Sequence, residues 1–304
     1  MKSYLRISRR GFLRTAAALV AARSQLARAA GDGVSFLAVG DWGMETDEQR
    51  RVAVQMAKSA EAIGARFVIS TGDNFYPKGV ASVEDMRWKT SFEEVYAAPA
   101  LMIPWYVALG NHDHRGSVDA QVNYTKGSAR WRLPATYYKH TEMLADGSLA
   151  DFFFIDSHVI KDTYRSWFRS TTDEQIIWLE RALAASTARW KIVVGHHPVV
   201  SGGKHGDTEA LVVLMKPLLE RYGVQLYLSG HDHDLQHLVP GKVHYLISGA
   251  GANPRPSWPL AGTRFVMGER LGFMAARLTP HLMEIEFIDD EGTSLYRSII
   301  PVEV

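Results

Sequence analysis

Five short hydrophobic runs along the chain each lead into a glycine that is followed by polar side chains. The runs are rich in β-branched, aliphatic and aromatic residues and cover 34–39, 67–70, 105–109, 191–194 and 225–228. Runs of this length and composition predict buried strands. Glycine followed by small polar residues predicts a tight turn. The pattern therefore predicts five strands, each ending in a polar loop.

Helical patterns lie between several of these runs. Helices are predicted at 47–63, 172–185 and 209–221, and the first two open with Thr-Asp-Glu-Gln, a capping-box sequence. Strands that alternate with helices favour parallel βαβ pairing. In such sheets the ligand site lies beyond the carboxyl ends of the strands. We therefore expect the five polar loops to converge on one site.

Toward the C-terminus the pattern changes to short strands without helices. Apolar and acidic side chains alternate over 283–289, and a second run covers 294–302. This alternation predicts antiparallel strands, which we assign to a second sheet. Residues 30–304 contain no internal repeat, low-complexity tract or long linker. They are predicted to form one catalytic domain.

Composition restricts the chemistry that this chain can perform. With 304 residues, of which 46% are hydrophobic, it can bury a substantial core. Its 34 basic and 33 acidic residues give a net charge of +1, so there is no general attraction to nucleic acid or to anionic membranes. The absence of cysteine excludes disulfides, thiolate metal sites and a cysteine nucleophile. Any metal must be bound by His, Asp, Glu, Asn or Tyr.

The first 29 residues have the features of a targeting segment. Residues 8–14 read Ser-Arg-Arg-Gly-Phe-Leu-Arg, and a small-residue apolar stretch and an Ala-Arg-Ala site at 27–29 follow. This is the pattern of a twin-arginine signal peptide, so we predict export to the periplasm or beyond the cell through the twin-arginine machinery. The apolar stretch is too short for a permanent membrane anchor. The alternative is a basic amphipathic helix.

The polar loops carry side chains that can bind metals. A single Gly-Asp or a lone histidine is weak evidence, but five such loops at equivalent positions are specific. Over about residues 34–252 the order resembles that of the calcineurin-like metallophosphoesterases. The matching residues are Gly40-Asp41, Gly72-Asp73, Gly110-Asn111-His112, Gly195-His196 and Gly230-His231-Asp232-His233. Tyr76, three residues after Asp73, narrows the resemblance to the small, mammalian-type, tartrate-resistant-like purple acid phosphatases.

This resemblance implies both a fold and a metal centre. The implied fold is α/β, a four-layer αββα sandwich with two mixed β-sheets flanked by helices. The implied centre pairs Fe(III) with Fe(II), Zn(II) or Mn(II), and Asp73 bridges the two ions. The remaining ligands would be Asp41, Tyr76 and His233 for Fe(III), and Asn111, His196 and His231 for the divalent ion.

The ligand chemistry supports this division. Oxygen-rich coordination suits the harder ion, and imidazole suits the divalent one. Deprotonating a phenol at pH 5 costs about 7 kcal/mol, which a highly charged cation most readily supplies. The alternative for Tyr76 is an aromatic side chain that lines a pocket over two divalent ions.

Roles other than metal binding are expected for the remaining histidines. The resemblance makes His112 and His205 hydrogen-bond donors to the phosphate or to the leaving group. His197 is not assigned as a ligand. The supporting or structural candidates are His114, His237, His244 and Asn74, of which Asn74 is expected to hydrogen-bond the metal ligands.

The leading hypothesis is an acid phosphatase that hydrolyses phosphate monoesters by in-line attack of a metal-bound hydroxide and releases inorganic phosphate. It is expected to be monomeric and to bind no nucleic acid. One alternative is a phosphodiesterase or nucleotide-selective hydrolase on the same site. Another is a non-hydrolytic iron redox protein or metal-dependent binding module. The segments 164–169 and 249–258 are expected to control substrate specificity.

Overall fold

The hydrophobic runs of the sequence form the central strands of two sheets. The computed structural model describes residues 33–166 and 170–302, so the predicted signal peptide lies outside the described residues. The strands are β1 (Val34–Val39), β2 (Phe67–Ser70), β3 (Trp105–Val107), β4 (Trp131–Arg132), β5 (Tyr138–Met143), β6 (Leu149–Phe154), β7 (Trp190–Val194), β8 (Leu226–Ser229), β9 (Leu235–Leu238), β10 (His244–Ser248), β11 (Thr263–Met267), β12 (Gly272–Leu278), β13 (Leu282–Asp289) and β14 (Ser294–Pro301).

Six α-helices within the described residues connect these strands. They are α1 (Asp47–Ile63), α2 (Val118–Tyr124), α3 (Ser157–Thr163), α4 (Ser170–Ala185), α5 (Glu209–Leu214) and α6 (Lys216–Arg221). Shorter helical turns occupy Trp88–Glu93, Pro99–Leu101 and Asp113–Arg115. None of the helices in this part of the chain is both long and apolar enough to cross a lipid bilayer.

The first sheet combines the N-terminal strands with the C-terminal ones. Its order is β14-β13-β12-β1-β2-β3-β4, with β1, β2, β3 and β4 parallel and β12 antiparallel to β1. The assignment of the C-terminal strands to a separate second sheet was therefore wrong. Alternating side chains define the two faces of a strand but not its partner, and β12 pairs with the free edge of β1.

The second sheet contains the strands between these two groups. Its order is β11-β9-β10-β8-β7-β6-β5, in which β6, β7, β8 and β10 are parallel. The aromatic ring of Phe152 in this sheet packs edge-on against Phe36 and Phe67 of the first sheet, with centroids 5.6 and 5.5 Å apart. The two sheets thus share a core, as expected when hydrophobic faces are buried against each other.

Helices cover the outer faces of both sheets. Helix α1 packs against β1, β12 and β13, and the remaining outer core lies between the second sheet and helices α3–α6, around residues such as Ile160, Leu179, Leu211 and Leu219. The order helix, sheet, sheet, helix confirms the predicted α/β sandwich with two mixed sheets.

One of the three predicted helices is confirmed, and the bounds of the other two predicted helices differ in the structure. The predicted cap of α1 is confirmed, because the Thr46 hydroxyl accepts from the Gln49 amide at 3.3 Å. The predicted helix 209–221 is instead two helices, since Pro217 at the start of α6 cannot donate an amide hydrogen bond. The predicted cap at Thr172 was also wrong, because α4 already begins at Ser170.

Candidate metal centre

Strained turns at the strand ends present the predicted ligands. Asp41, Asp73 and His231 follow β1, β2 and β8, and their φ angles are 57°, 52° and 69°. Non-glycine residues rarely adopt this left-handed region, which costs about 1–3 kcal/mol each and is concentrated at functional sites. The strain turns each side chain away from its strand and toward the gap between the two sheets.

Two of the motif glycines are required by the close approach of ligand carboxylates. A Cβ atom on Gly110 would lie 2.2 Å from Asp73 Oδ1, and one on Gly230 would lie 2.5 Å from Asp41 Oδ2. Any side chain at these positions would displace a carboxylate. The repeated glycine thus reflects how tightly the ligands pack against neighbouring loops.

One group of donor atoms surrounds the hydroxyl of Tyr76. This oxygen lies 3.1 Å from Asp41 Oδ1, 2.9 Å from Asp73 Oδ2 and 3.2 Å from His233 Nε2. His233 Nε2 is in turn 3.4 Å from Asp41 Oδ1. The four side chains predicted to bind the ferric ion therefore point at one another.

A second group surrounds His196. Its Nε2 atom lies 3.2 Å from Asn111 Oδ1, 3.2 Å from His231 Nδ1 and 3.5 Å from Asp73 Oδ2. The same oxygen of Asp73 contacts the Tyr76 hydroxyl of the first group. All seven predicted ligands are thus brought together in two groups that meet at Asp73.

These distances fit a pair of metal ions. Nitrogen and oxygen donors about 2.0–2.2 Å from a common ion lie about 2.8–3.6 Å apart in octahedral or tetrahedral geometry. Such short contacts between carboxylate oxygens and imidazole lone pairs also need a cation or a proton between them. The residues present fit a dinuclear centre in donor type, number and spacing.

The pKa values of the oxygen ligands also indicate that the site needs a bound cation. Burial raises the pKa of Asp41. Burial also raises the pKa of Tyr76, and the neighbouring carboxylates of Asp41 and Asp73 raise it further. Without a cation, both groups favour the protonated form. A bound ion of high charge reverses this preference.

The three histidines differ in their charge. Burial acts to lower the pKa of His196, but the carboxylate of Asp73 outweighs it and raises the pKa to about 9. Burial lowers the pKa of His231 to about 2 and that of His233 to about 4. His231 and His233 are therefore neutral and ready to bind a metal, whereas His196 must first lose a proton.

Backbone carbonyls orient two of these rings. The Nδ1 atoms of His196 and His233 lie 3.0 Å from the Thr71 carbonyl and 2.7 Å from the Asn253 carbonyl. Because a carbonyl only accepts, each Nδ1 carries a proton and donates it. Nε2 therefore faces the site, as a lone pair in His233 and, in His196, as the nitrogen that must lose its proton to bind a metal.

Several supporting residues were missed by the sequence analysis. Asp113 is fully buried and accepts from the Gly110 amide at 2.8 Å and from Asn74 Nδ2 at 3.0 Å. The Ser157 hydroxyl accepts from the His196 amide at 3.0 Å. Asp232 accepts from the His205 amide at 2.9 Å. Asp113 and Asp232 lie within the motifs that carry predicted ligands, whereas Ser157 gave no signal in the sequence.

Asn74 supports the site differently from the expectation. Its side chain bonds Ser70, Ala108 and Asp113 rather than the side chains of the metal ligands. It therefore joins the loop after β2 to the loop after β3. The result is a fixed separation between Asp73 and Asn111.

The two predicted substrate donors both border the metal groups. The His112 amide donates to Asp73 Oδ1 at 2.8 Å, and its Nδ1 donates to the Pro77 carbonyl at 2.7 Å. This leaves Nε2 facing the site, 3.9 Å from Asp73 Oδ2. The ring of His205 lies 4.4 Å from that of His231, and its Nε2 is 3.3 Å from Arg255 Nη1.

The remaining histidines have other partners. His197 is buried, its Nδ1 lies 3.1 Å from the Ser157 hydroxyl, and burial lowers its pKa so that it is neutral. His114 contacts both oxygens of Asp156 at 3.0 Å. His237 and His244 bond each other at 2.8 Å on β9 and β10.

Comparison with known proteins identifies the family. Residues 34–235 match the calcineurin-like phosphoesterase family. Tartrate-resistant acid phosphatase type 5 of Homo sapiens is 35% identical over 303 residues, which cover 91% of this chain and 93% of that protein. Purple acid phosphatase 4 of Arabidopsis thaliana is 35% identical over 288 residues, covering 87% and 82%. The chain belongs to the purple acid phosphatases. It is a phosphoesterase hydrolase, as the motifs predicted.

Solved structures show the same fold. A Plasmodium protein described as GAP50, the anchor in the inner membrane complex, has a TM-score of 0.82 at 24% identity and 90% coverage of both chains. The yellow lupin purple acid phosphatase PPD1 has a TM-score of 0.66 at 16% identity, covering 88% of this chain and 54% of that one. These likenesses concern the fold alone, and a fold by itself does not define activity.

Proposed function

We propose that this protein is an acid phosphatase that hydrolyses phosphate monoesters with a dinuclear Fe(III)–M(II) centre. The observation that supports this best is the position of Asp73 Oδ2, 2.9 Å from the Tyr76 hydroxyl and 3.5 Å from His196 Nε2. A single carboxylate oxygen between a phenol and an imidazole is suited to joining a hard ion and a softer one.

We assign the ligands by the two groups around Asp73. Fe(III) would be held by Asp41, Tyr76 and His233, and the divalent ion would be Fe(II), Zn(II) or Mn(II). That second ion would be held by Asn111, His196 and His231. A phenol whose pKa is raised by burial and by two carboxylates needs a strongly charged cation to become a ligand, which favours iron in the ferric state.

Charge explains how a nearly neutral protein can attract phosphate. Three anionic ligands against five positive charges leave about two net positive charges at the centre. When bound, two such metal ions polarise the phosphate and activate water for attack. The attraction is therefore local, as the net charge of +1 for the whole chain requires.

Two histidines would bind the phosphate or protonate the leaving oxygen. His112 donates through Nδ1 to the Pro77 carbonyl, so a proton carried on its Nε2 faces the site and is available to the substrate. His205 accepts from Arg255 through Nε2, which leaves its Nδ1–H as the donor. His112 packs against Tyr76 of the first group, and His205 packs against His231 of the second.

Hydrolysis of p-nitrophenyl phosphate between pH 4 and 8 tests this function. We expect turnover with an acidic optimum, slower turnover of bis-p-nitrophenyl phosphate, and loss of at least about 100-fold in kcat for Asp73→Asn. The exposed Asp146, which bonds Ser148 in a turn, provides the control Asp146→Asn, which should match the unmodified protein. No turnover of the monoester by metal-loaded protein, or unchanged turnover in Asp73→Asn, would contradict the proposal.

We also propose that residues 1–29 direct export through the twin-arginine machinery and that the exported enzyme is monomeric. The support is the Ser-Arg-Arg-Gly-Phe-Leu sequence at 8–13. Replacing Arg9 and Arg10 by lysine should retain the enzyme in the cytoplasm, measured by activity in cell fractions. Unchanged export of this variant would refute the assignment, and sedimentation of the exported protein tests the monomer.

A further inference from the structure

A cavity of about 360 Å³ adjoins the candidate metal centre. Two of its lining residues are His231, a predicted metal ligand, and His205, a predicted phosphate donor, so its contents would lie beside a phosphate bound there. Lys161 on α3 and Arg165 just after it line the cavity together with Thr208 and Glu209 at the start of α5. Its size falls within the range of small-molecule sites, about 300–1,000 Å³. A phosphate ester bound at the centre could place its leaving group in this cavity.

The lining of this cavity is unusual for a small-molecule site. Such pockets are mostly hydrophobic with a few polar groups, whereas this one is lined by five charged side chains, two histidines, a tyrosine and a threonine, with Ala210 as its only aliphatic residue in the described part of the chain. An aryl or alkyl leaving group would remove water from charged groups without replacing their hydrogen bonds. The lining therefore favours a leaving group that can replace these hydrogen bonds.

The charges in the lining also pair with one another. Lys161 Nζ lies 3.1 Å from Asp162 Oδ1, and Arg165 forms an ion pair with Glu209. With Asp207, three carboxylates stand against two cations, so a second anionic group on the substrate would gain no net attraction. Neutral groups that both donate and accept hydrogen bonds match this lining better.

These ion pairs are able to open for a ligand. The four side chains are between 45% and 77% exposed, and exposed pairs contribute only about 0–1 kcal/mol. Lys161, Arg165 and Thr208 could then donate to hydroxyl oxygens, while Glu209 and Asp162 accept from hydroxyl protons. A leaving group with several hydroxyls would satisfy both sets.

We propose that this cavity selects phosphate monoesters of hydroxyl-rich alcohols, such as sugar or polyol phosphates. The proposal rests on the proposed phosphatase function. It assigns the choice of substrate to the side chains of α3 and the start of α5 rather than to the metal ligands.

The test compares two esters that differ only in hydroxyl groups. Sorbitol 6-phosphate and n-hexyl phosphate are both primary alkyl monoesters, and the difference in their intrinsic reactivity is the same for every variant, so a change of their ratio on substitution reports recognition by the cavity. We expect kcat/KM to be at least about tenfold higher for sorbitol 6-phosphate, and Glu209→Gln to reduce this ratio at least about fivefold. Glu180 forms a comparable exposed ion pair with Arg221 on the outer helices, and the control Glu180→Gln should keep the ratio of the unmodified protein.

Several results would overturn the proposal. These are equal or faster hydrolysis of n-hexyl phosphate, the same ratio in Glu209→Gln and Glu180→Gln, or a stronger preference for a hexose bisphosphate, which would indicate an anion site. Turnover of p-nitrophenyl phosphate without the sorbitol preference would contradict this proposal alone. If no ester is hydrolysed, the phosphatase function fails, and calorimetric binding of the two esters to metal-loaded protein still decides which leaving group the cavity prefers.

Discussion

The hydroxyl of Tyr76 lies within 3.2 Å of Asp41, Asp73 and His233. We expect Tyr76→Phe to lose the visible absorption of a ferric phenolate and to retain less iron, because no oxygen remains to bind the ion. Activity should fall at least about tenfold. The fold should persist, since the ring can still pack against His112 at 4.3 Å. Absorption spectra and iron analysis of the purified variant measure both effects.

A tyrosine far from the metal groups provides the control for this prediction. Tyr106 on β3 stacks on His140, so Tyr106→Phe removes a hydroxyl without touching the metal ligands. It should keep the colour and iron content of the unmodified protein. A Tyr76→Phe protein that is equally coloured would show that the absorption, and the ferric ion, do not depend on this phenol.

Arg255 determines which nitrogen of His205 carries the proton. A guanidinium has donors only, so the Nη1 atom 3.3 Å from His205 Nε2 requires that nitrogen to accept. We expect ¹⁵N spectra of the metal-free protein to show neutral His205 protonated on Nδ1. Arg255→Glu, which offers only acceptors, should shift the proton to Nε2.

A substitution at the neighbouring Lys204 distinguishes the hydrogen bond donated by Arg255 from a general effect of charge. Lys204→Glu makes the same change of charge in the loop that carries His205, where Lys204 acts on the ring through its charge and Arg255 is the hydrogen-bond partner of Nε2. It should leave the Nδ1–H tautomer in place. If both variants move the proton, the electrostatic field rather than the hydrogen bond sets the tautomer.

At the scale of elements, the loop after β3 approaches the loop after β2 too closely for any side chain at Gly110. A Cβ atom there would lie 2.2 Å from Asp73 Oδ1 and 2.4 Å from the Asp73 amide nitrogen. We expect Gly110→Ala to displace Asp73, lower the bound metal below two ions and reduce kcat at least about 100-fold. Metal analysis and turnover of p-nitrophenyl phosphate measure these losses.

Gly127 offers a matched substitution in the same part of the chain. A Cβ at Gly127 meets no atom within 4 Å, so Gly127→Ala should retain metal and activity. Comparable losses in both variants would show that the effect reflects general destabilisation rather than the contact with Asp73.

The strand-ending motifs could be predicted from sequence because the information is local. Hydrophobic runs and the glycines after them specify where a strand stops, and β1, β2 and β7 match their predicted runs within a residue. Pairing is not local. The alternation in β13 fixes which side chains are buried, but nothing in it specifies that β12 joins β1.

The supporting shell of the site was harder to predict for the same reason. Asp113 and Ser157 act on Asn74 and His196, from which they are separated by 39 residues each. A buried carboxylate in a loop resembles any turn-forming aspartate in the sequence. Only the folded chain brings the carboxylate oxygens of Asp113 to the backbone amides of the metal-binding loops.

At the scale of the whole molecule, the candidate centre lies between the two sheets. The first sheet contributes Asp41, Asp73, Tyr76 and Asn111, and the second contributes His196, His231 and His233. Ions bound there would link the sheets and stabilise the folded protein, because a ligand that binds only the native state adds RT ln(1 + [L]/Kd) to its stability. Removal of the metals should therefore lower the melting temperature.

The loss of stability on removal of the metals should depend on pH. In the metal-free protein the pKa of His196 is raised from 6.5 to about 9, so its contribution is present below pH 6.5 and is lost as pH rises through 9, about 3 kcal/mol in all. The raised pKa of Asp41 acts in the same direction. A bound metal ion would replace the proton on His196, so the loaded protein should not show this decline.

Calorimetric melts at pH 6.5 and 9, with and without chelator, measure the effect. The gap in melting temperature between the loaded and the metal-free protein should widen with pH. The pH-dependent part due to His196 should disappear in His196→Gln, and a gap that narrows would mean that His196 is not protonated in the metal-free site.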